Sequence, residues 1–287
     1  MHIDGSTKLA GVFGWPVTHT ASPAMHNAAF EALEMNWAYL AFPVEPQRLR
    51  SALHGARDMG LAGLNLTVPH KVAALDIVDE TDHSARKLGA INTVCIDNNR
   101  LRGFNTDGYG FSKAIKEEFN LSLKGKRVLV LGAGGAGRTI AIQSGLDGAA
   151  RVYIANRTAE RIEPIARELA AAKVECHALP LKSTDIARIS PEIDLLVNAT
   201  TVGLAPGDSL GLEPDIFSPK LFVYDTIYRP AETELLRMAA AAGAKAANGL
   251  SMLLHQGAKS FEIWTKRKAP VAVMRRALQA AIDGDRS

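Results

Sequence analysis

Apolar positions along this chain follow two periods, and their alternation predicts the architecture. Lys126-Arg-Val-Leu-Val-Leu131 is an unbroken β-branched and leucine run, the mark of a strand buried on both faces. Gly132-Ala-Gly-Gly-Ala-Gly137 follows at once, and then a helical stretch over 138–146. A strand is expected over 151–155, an alanine-rich helix over about 159–172, and short strands over 174–178 and 194–197. Strands and helices alternating at this spacing predict a parallel sheet with right-handed crossovers.

The first hundred residues repeat the alternation more loosely. Strands are expected over 9–14 and 37–44, separated by a helix over 23–35 for which Ser22 is a good N-cap and Pro23 a good first residue. A helix over 46–59 and a strand over 61–68 follow. Runs over 94–97 and 101–104 read as a hairpin turning at Asn98-Asn99. After Ala246 two helices are expected, over 250–265 and 271–282. The pattern implies an α/β chain of two domains: a first domain over 1–106, a nucleotide-binding domain over 107–245, and C-terminal helices over 246–287. Helices returning to the first domain would leave a cleft between the two.

Composition narrows the partners. The chain is 47% apolar and 22% charged, which suits a globular protein rather than a disordered one. No apolar run reaches the ~20 residues that span a bilayer, and residues 1–8 lack the basic-then-apolar layout of a signal peptide. With Cys95 and Cys176 far apart in strand-like runs, a cytoplasmic chain without disulfides is expected. A net charge of +3 spread along the chain makes no basic stripe for nucleic acid. The eight histidines show no ligand-like spacing, so no metal site is expected.

Gly132, Gly134 and Gly137 fit G-x-G-x-x-G between a strand and a helix. Glycines there allow a tight turn and close backbone approach, and the helix N-terminus offers N–H groups to a pyrophosphate. The dinucleotide is expected on Gly132, Ala133, Gly134, Gly135, Ala136 and Gly137. After the next strand stands Asn156-Arg157-Thr158, with Arg161 one turn on, where NAD sites usually carry an acidic residue. Two guanidiniums and no carboxylate favour a 2′-phosphate, hence NADP over NAD.

Three polar clusters mark the first domain. In the first, Gly14-Trp-Pro-Val-Thr-His-Thr-Ala-Ser-Pro-Ala-Met-His-Asn27, Thr20 and Ser22 could share one acceptor, although capping alone would explain Ser22. In the second, Asn65-Leu-Thr-Val-Pro-His-Lys71, the two-residue period puts Asn65 and Thr67 on one strand face. Pro69 is expected to start a helix with Lys71 in its first turn, where the dipole disfavours a cation; that suits an acid–base lysine, and an ordinary surface lysine is the alternative. His70 beside it is expected to be structural. The third cluster joins Ala90-Ile-Asn-Thr-Val94 to Gly103-Phe-Asn-Thr-Asp-Gly108, where Asp107 is either an N-cap or the partner of Lys71.

Taken together, His19-Thr-Ala-Ser-Pro23, Asn65-Leu-Thr-Val-Pro-His-Lys71, Gly89-Ala-Ile-Asn-Thr93, Asn105-Thr-Asp-Gly108, the glycine loop, Asn156-Arg-Thr158, Asn198-Ala-Thr200, Tyr224-Asp-Thr-Ile-Tyr228 and Asn248-Gly-Leu-Ser-Met-Leu-Leu-His-Gln256 resemble the shikimate dehydrogenase family, in order and over almost the whole chain. The resemblance implies an N-terminal α/β substrate domain, a Rossmann-type NADP-binding domain, and reversible reduction of 3-dehydroshikimate to shikimate in aromatic amino-acid biosynthesis. It implies that Lys71 and Asp107 are the catalytic pair. Asn65, Thr67, Asn92, Tyr228 and Gln256 would bind the substrate, Thr20 and Ser22 its carboxylate. Thr226 and Gly249 would line the nicotinamide end, with Asn156, Arg157, Thr158 and Arg161 at the adenosine phosphate. A monomer or homodimer is expected. One departure stands out: the family's usual serine–x–serine on the carboxylate loop is Thr20-Ala21-Ser22 here. That leaves a quinate or aminoshikimate dehydrogenase as the alternative, with a non-enzymatic NADP-binding sensor behind it.

Overall fold

A computed structural model describes residues 3–205 and 207–284. The chain forms two compact units, Met1–Gly110 with Leu253–Ser287, and Phe111–Met252.

The strands of the first unit are β1 (Lys8–Gly14), β2 (Trp37–Pro43), β3 (Gly63–Leu66), β4 (Glu80–Thr81), β5 (Thr93–Asp97) and β6 (Arg100–Phe104). They lie in the order β2-β1-β3-β5-β6-β4. β1 runs parallel to β2 and β3, while β5 is antiparallel to β3 and β6. The β5–β6 hairpin turns where sequence placed it, with Asn98 and Asn99 both at positive φ (50° and 58°), as a tight hairpin turn requires. Helices α1 (Ser22–Ala32), α2 (Leu49–Asp58) and α3 (His83–Leu88) cover this sheet together with the C-terminal helices α9 (Leu250–Thr265), from Leu253 onward, and α10 (Val271–Gly284). On α2 the buried residues Leu49, Leu53 and Ala56 recur at helical spacing and join Leu64, Leu66 and Val94 in one core cluster. Each fully buried leucine contributes roughly 1.5–3 kcal/mol. On α1, Phe30 meets Phe261 of α9 at a ring separation of 5.3 Å.

The second unit has β7 (Arg127–Leu131), β8 (Arg151–Asn156), β9 (Glu175–Pro180), β10 (Leu195–Asn198), β11 (Phe222–Asp225) and β12 (Lys245–Ala247), all parallel in the order β12-β11-β10-β7-β8-β9. Its helices are α5 (Gly135–Leu146), α6 (Glu163–Ala171), α7 (Ser183–Ile189) and α8 (Glu234–Ala241), preceded by α4 (Asp107–Phe119), which begins in the first unit. Val128, Leu129, Val130 and Leu131 are all at most 1% exposed, which explains the unbroken apolar run. Strand order reverses between β7 and β10, the point at whose carboxyl end open α/β sheets bind their ligands.

Several local expectations need correction. Ser22 is the first residue of α1 rather than its cap; Ala21 holds the cap position without a side-chain bond. The Ser22 hydroxyl is engaged instead with Thr20 Oγ1 at 3.2 Å. Helix α1 stops at Ala32, not Met35, because the chain reverses at Glu34 (φ 52°) and Met35 N–H returns to Phe30 O. The helix over 159–172 is a 3₁₀ turn (Ala159–Arg161) followed by α6, since Pro164 lacks the N–H that would continue it. No α-helix starts at Pro69. The Lys71 carbonyl accepts from Ile91 N–H at 2.7 Å, and only a 3₁₀ turn (Ala73–Asp76) follows. Lys71 therefore lies outside any helix, and no helix dipole disfavours its charge.

Candidate active site

In the first unit, sheet pairing gathers residues far apart in sequence. Asn65 of β3 stands opposite Thr93 of β5, and Thr93 opposite Phe104 of β6. The segments leaving these strand ends, 67–71, 90–92 and 105–107, therefore meet. Lys71 Nζ lies 2.7 Å from Asp107 Oδ2, with side chains 17% and 6% exposed, so the pair is largely screened from water. Asn92 Nδ2 donates to the other carboxylate oxygen at 2.8 Å. Asp107 is free for this because Asn105 Oδ1 accepts the Gly108 N–H in the first turn of α4 and Asn105 Nδ2 donates to Ala90 O. His70 is structural: its Nε2 donates to Val44 O at 2.9 Å, and burial holds the ring below its usual pKa.

Behind the pair lies a buried network of amides and hydroxyls. Asn92 Oδ1 accepts from Thr106 N at 2.7 Å, and Asn92 Nδ2 lies within 3.2 Å of Gln256 Oε1. Asn65 Nδ2 donates toward Ser260 Oγ (3.0 Å) and Asn92 O (3.1 Å), while Asn65 Oδ1 accepts from the Tyr39 hydroxyl at 2.8 Å. The hydroxyls of Thr93 and Ser260 are 2.8 Å apart. Burial pushes the Tyr39 phenol well above its ordinary pKa, opposed by its bond to Ser22. A continuous chain of polar contacts thus runs from Thr20 and Ser22 to Lys71. Thr67 sits half-buried, and its hydroxyl takes no partner among the described residues.

Tyr39, Thr93, Thr106 and Ser260 escaped sequence reasoning. Tyr39 lies inside the apolar run 37–42, and Ser260 stands on a helix with no motif around it. Thr93 and Thr106 stood within the quoted motifs, and their adjacency to Asn92 and Asp107 was the available signal.

In the second unit, Gly132 (φ 100°) turns the chain from β7 into α5. A Cβ on Gly137 would lie 2.0 Å from Gly132 O, so helix and loop approach through a missing side chain. A Cβ on Gly134 would meet nothing within 4 Å; that direction is left open beside the α5 N-terminus. Gly135 and Ala136 form the first turn of α5. Asn156 Oδ1 accepts from Ala133 N–H at 3.2 Å and its Nδ2 donates to Thr158 O at 2.8 Å, which braces the loop against the end of β8. Arg157, Thr158 and Arg161 are exposed, and neither guanidinium has a protein partner among the described residues.

Two strands along from β7, past β10, Asp225 closes β11, fully buried. It accepts from Asn198 Nδ2 (3.0 Å), Ile227 N–H (3.0 Å) and Thr233 Oγ1 (2.7 Å). Burial raises its carboxyl pKa and these three bonds oppose the rise. Thr226 and half-buried Tyr228 follow, and a Cβ on Gly249 would lie 2.0 Å from Thr226 O. Lys71, Asp107, Asn65, Asn92, Gln256, Thr20, Ser22 and Thr67 thus belong to the first unit, and Tyr228, Thr226, Gly249, the glycine loop and the two arginines to the second.

Cys95 and Cys176 are free thiols. No helix among the described residues is long and apolar enough to cross a membrane, and none of their His, Cys, Asp and Glu side chains group to hold a metal.

The chain is similar to known proteins over almost its whole length. A family model of the shikimate dehydrogenase substrate-binding domain matches residues 12–94, one of shikimate/quinate 5-dehydrogenase 113–204, and one of the shikimate 5′-dehydrogenase C-terminal domain 249–279. The shikimate dehydrogenase (NADP(+)) of Methanopyrus kandleri is 44% identical over 282 residues, 96% of each chain. Shikimate 5-dehydrogenase from Thermus thermophilus, solved with NADP(H) and shikimate, superposes with a TM-score of 0.85 at 39% identity, covering 96% of this chain and all of that one. Quinate dehydrogenase from Corynebacterium glutamicum, solved with NAD, gives 0.88 at 29% identity over 96% of this chain and 99% of that one. The chain belongs to the shikimate dehydrogenase family.

Proposed function

We propose that the chain catalyses the reversible, NADP(H)-dependent reduction of 3-dehydroshikimate to shikimate. The observation that carries this is the Lys71–Asp107 contact at 2.7 Å, in a buried polar frame where Lys71 keeps two N–H groups for a substrate oxygen. In the reductive direction Lys71 Nζ gives its proton to the carbonyl oxygen as that oxygen becomes a hydroxyl; in the oxidative direction it takes the proton back. Asp107 orients Lys71 and accepts from a neighbouring substrate hydroxyl. Asn65 and Asn92 spend most of their bonding capacity inside the protein, so they fix Tyr39, Thr106 and Asp107 as well as facing the ring. Thr67, Gln256 and Tyr228 bind ring hydroxyls, and Thr20 and Ser22 the carboxylate.

NADP supplies the hydride acceptor or donor when bound. The residues present suit it: the open direction at Gly134 lies beside the first N–H groups of α5, and Arg157 and Arg161 stand unpaired and exposed at the end of β8. Thr226 and Gly249 line the nicotinamide end. Two free cysteines suit a reducing compartment, and we place the enzyme in the cytoplasm. Initial rates of shikimate oxidation with NADP⁺ and with NAD⁺ test this reading; turnover with neither would overturn it.

Arg157→Ala is expected to raise the KM for NADP⁺ by about tenfold or more, as loss of a charge-assisted phosphate contact does, and to leave NAD⁺ within about twofold. Equal losses for the two nucleotides would remove Arg157 from the phosphate site. Quinate is the second reading, favoured by one observation: Thr20 places a methyl group on the carboxylate loop beside Ser22.

A further inference from the structure

Two loops at the carboxyl end of the second sheet share one buried anchor. The first is 199–203, after β10. Its Thr200 donates N–H and Oγ1–H to Asn198 Oδ1 (3.0 and 2.8 Å), and Val202 O accepts from Asn198 Nδ2 at 3.2 Å. This loop packs on the glycine turn: a Cβ on Gly132 would lie 2.9 Å from Thr200 Cγ2 and 3.1 Å from Ala199 O. The second loop is 226–228, after β11. Gly249 N–H donates to Ile227 O at 3.1 Å, and the Gly249 backbone lies directly against Thr226 O. Asp225 Oδ1 joins them, accepting from Asn198 Nδ2 on one side and Ile227 N–H on the other, both at 3.0 Å. Both Asn198 and Asp225 are 0% exposed, so neither bond competes with water.

We infer that Asp225 is a positioning residue for the nucleotide: through Asn198 and Ile227 it sets the spacing between the loop on the phosphate-binding turn and the loop at the nicotinamide end. The inference rests on the cofactor site proposed above. A dinucleotide contacts both ends at once, so its affinity depends on both loops holding their places before it arrives. The third bond of Asp225 goes elsewhere. Thr233 Oγ1 donates to Oδ2 at 2.7 Å and accepts from Leu236 N–H at 3.4 Å, capping α8. The carboxylate therefore serves two separable tasks, tethering loops and anchoring a helix.

That separation gives the test. NADPH affinity is read by fluorescence titration, and amide hydrogen exchange is followed in the nucleotide-free chain. Asp225→Ala is expected to weaken NADPH about 10-fold or more and to speed exchange at 200–203 and 226–227, because it orphans two buried donors that face the loops. Thr233→Val removes the bond to Asp225 Oδ2 and the cap on Leu236 N–H but leaves both Oδ1 bonds of the tether; it should lower Tm yet leave NADPH affinity within about twofold. If Asp225→Ala does not fold, Asn198→Ala cuts the same tether from its other end and is expected to weaken NADPH about 3–10-fold. A folded Asp225 or Asn198 variant that binds NADPH like the unmodified chain overturns the inference, as does Thr233→Val weakening NADPH as much as they do. Failure of the unmodified chain to bind NADPH would overturn the cofactor site itself, and this inference with it.

Discussion

Lys71→Ala is expected to lower kcat by about 10²–10⁴-fold, the range lost with a positioned general acid–base group. The loss should fall on kcat and kcat/KM together, with shikimate KM changed only a few-fold, because the proton transfer belongs to the transition state rather than to binding. Folding should survive. Lys71 pairs with Asp107 and is held also by its backbone, whose carbonyl accepts from Ile91 N–H. Asp107 would be left with Asn92 Nδ2 on one oxygen, a partial compensation for the missing ammonium. Lys71→Arg should not restore the rate, since a guanidinium stays protonated and cannot return a proton to the cycle. A Lys71→Ala enzyme that turns over within about tenfold of the unmodified chain would take the proton-transfer role away from this residue.

The second large effect concerns acid stability and a residue outside the chemistry. His26 on α1 is fully buried, neither ring nitrogen has a hydrogen-bond partner among the described residues, and burial pushes its pKa down to about 3. Its ring stacks on Tyr39, centroids 4.3 Å apart and planes 14° from parallel, so it works as an aromatic plate behind the Tyr39–Asn65 bond. In the unfolded chain an ordinary histidine titrates near 6.5. Below that pH the unfolded state takes up a proton that the folded state refuses until about pH 3, so stability falls with falling pH across this window. The slope is about 1.4 kcal/mol per pH unit from this residue, roughly 4–5 kcal/mol over the whole window. His26→Phe keeps the plate and deletes two unsatisfied polar atoms. It should match or exceed the unmodified chain near neutral pH and gain on it steadily as the pH falls. Urea unfolding at about pH 7 and about pH 5 reads the difference. A stability gap that is the same at both pH values would mean that His26 does not titrate on unfolding.

How much of this could be read from sequence depended on whether the signal was local. The run through β7, the glycine loop and α5 is contiguous, so its apolar period and its glycines announced both the sheet and the turn. Asn156, Arg157 and Arg161 were legible for the same reason, following one strand at a fixed offset. Lys71 and Asp107 could be paired from the residues only as an alternative to an N-cap and a surface lysine, because their meeting depends on the antiparallel register of β3 with β5, which no local pattern displays. The helix expected at Pro69 failed because a tertiary bond, Ile91 N–H to Lys71 O, claimed the carbonyl a helix would have needed. Tyr39 stayed hidden in an apolar run, and Ser260 and Asp225 carried no local signal of their own, since a buried polar group shows its purpose only once its partners are in place.

Substrate preference is read most directly from kcat/KM for shikimate against quinate, measured with saturating NADP⁺ on the unmodified chain. A ratio favouring shikimate by about tenfold or more is expected, because quinate's saturated ring adds a hydroxyl on the carboxylate-bearing carbon, which loses water without a dedicated partner and displaces the other ring hydroxyls from the buried groups that bind them. A quinate value above that for shikimate would contradict it.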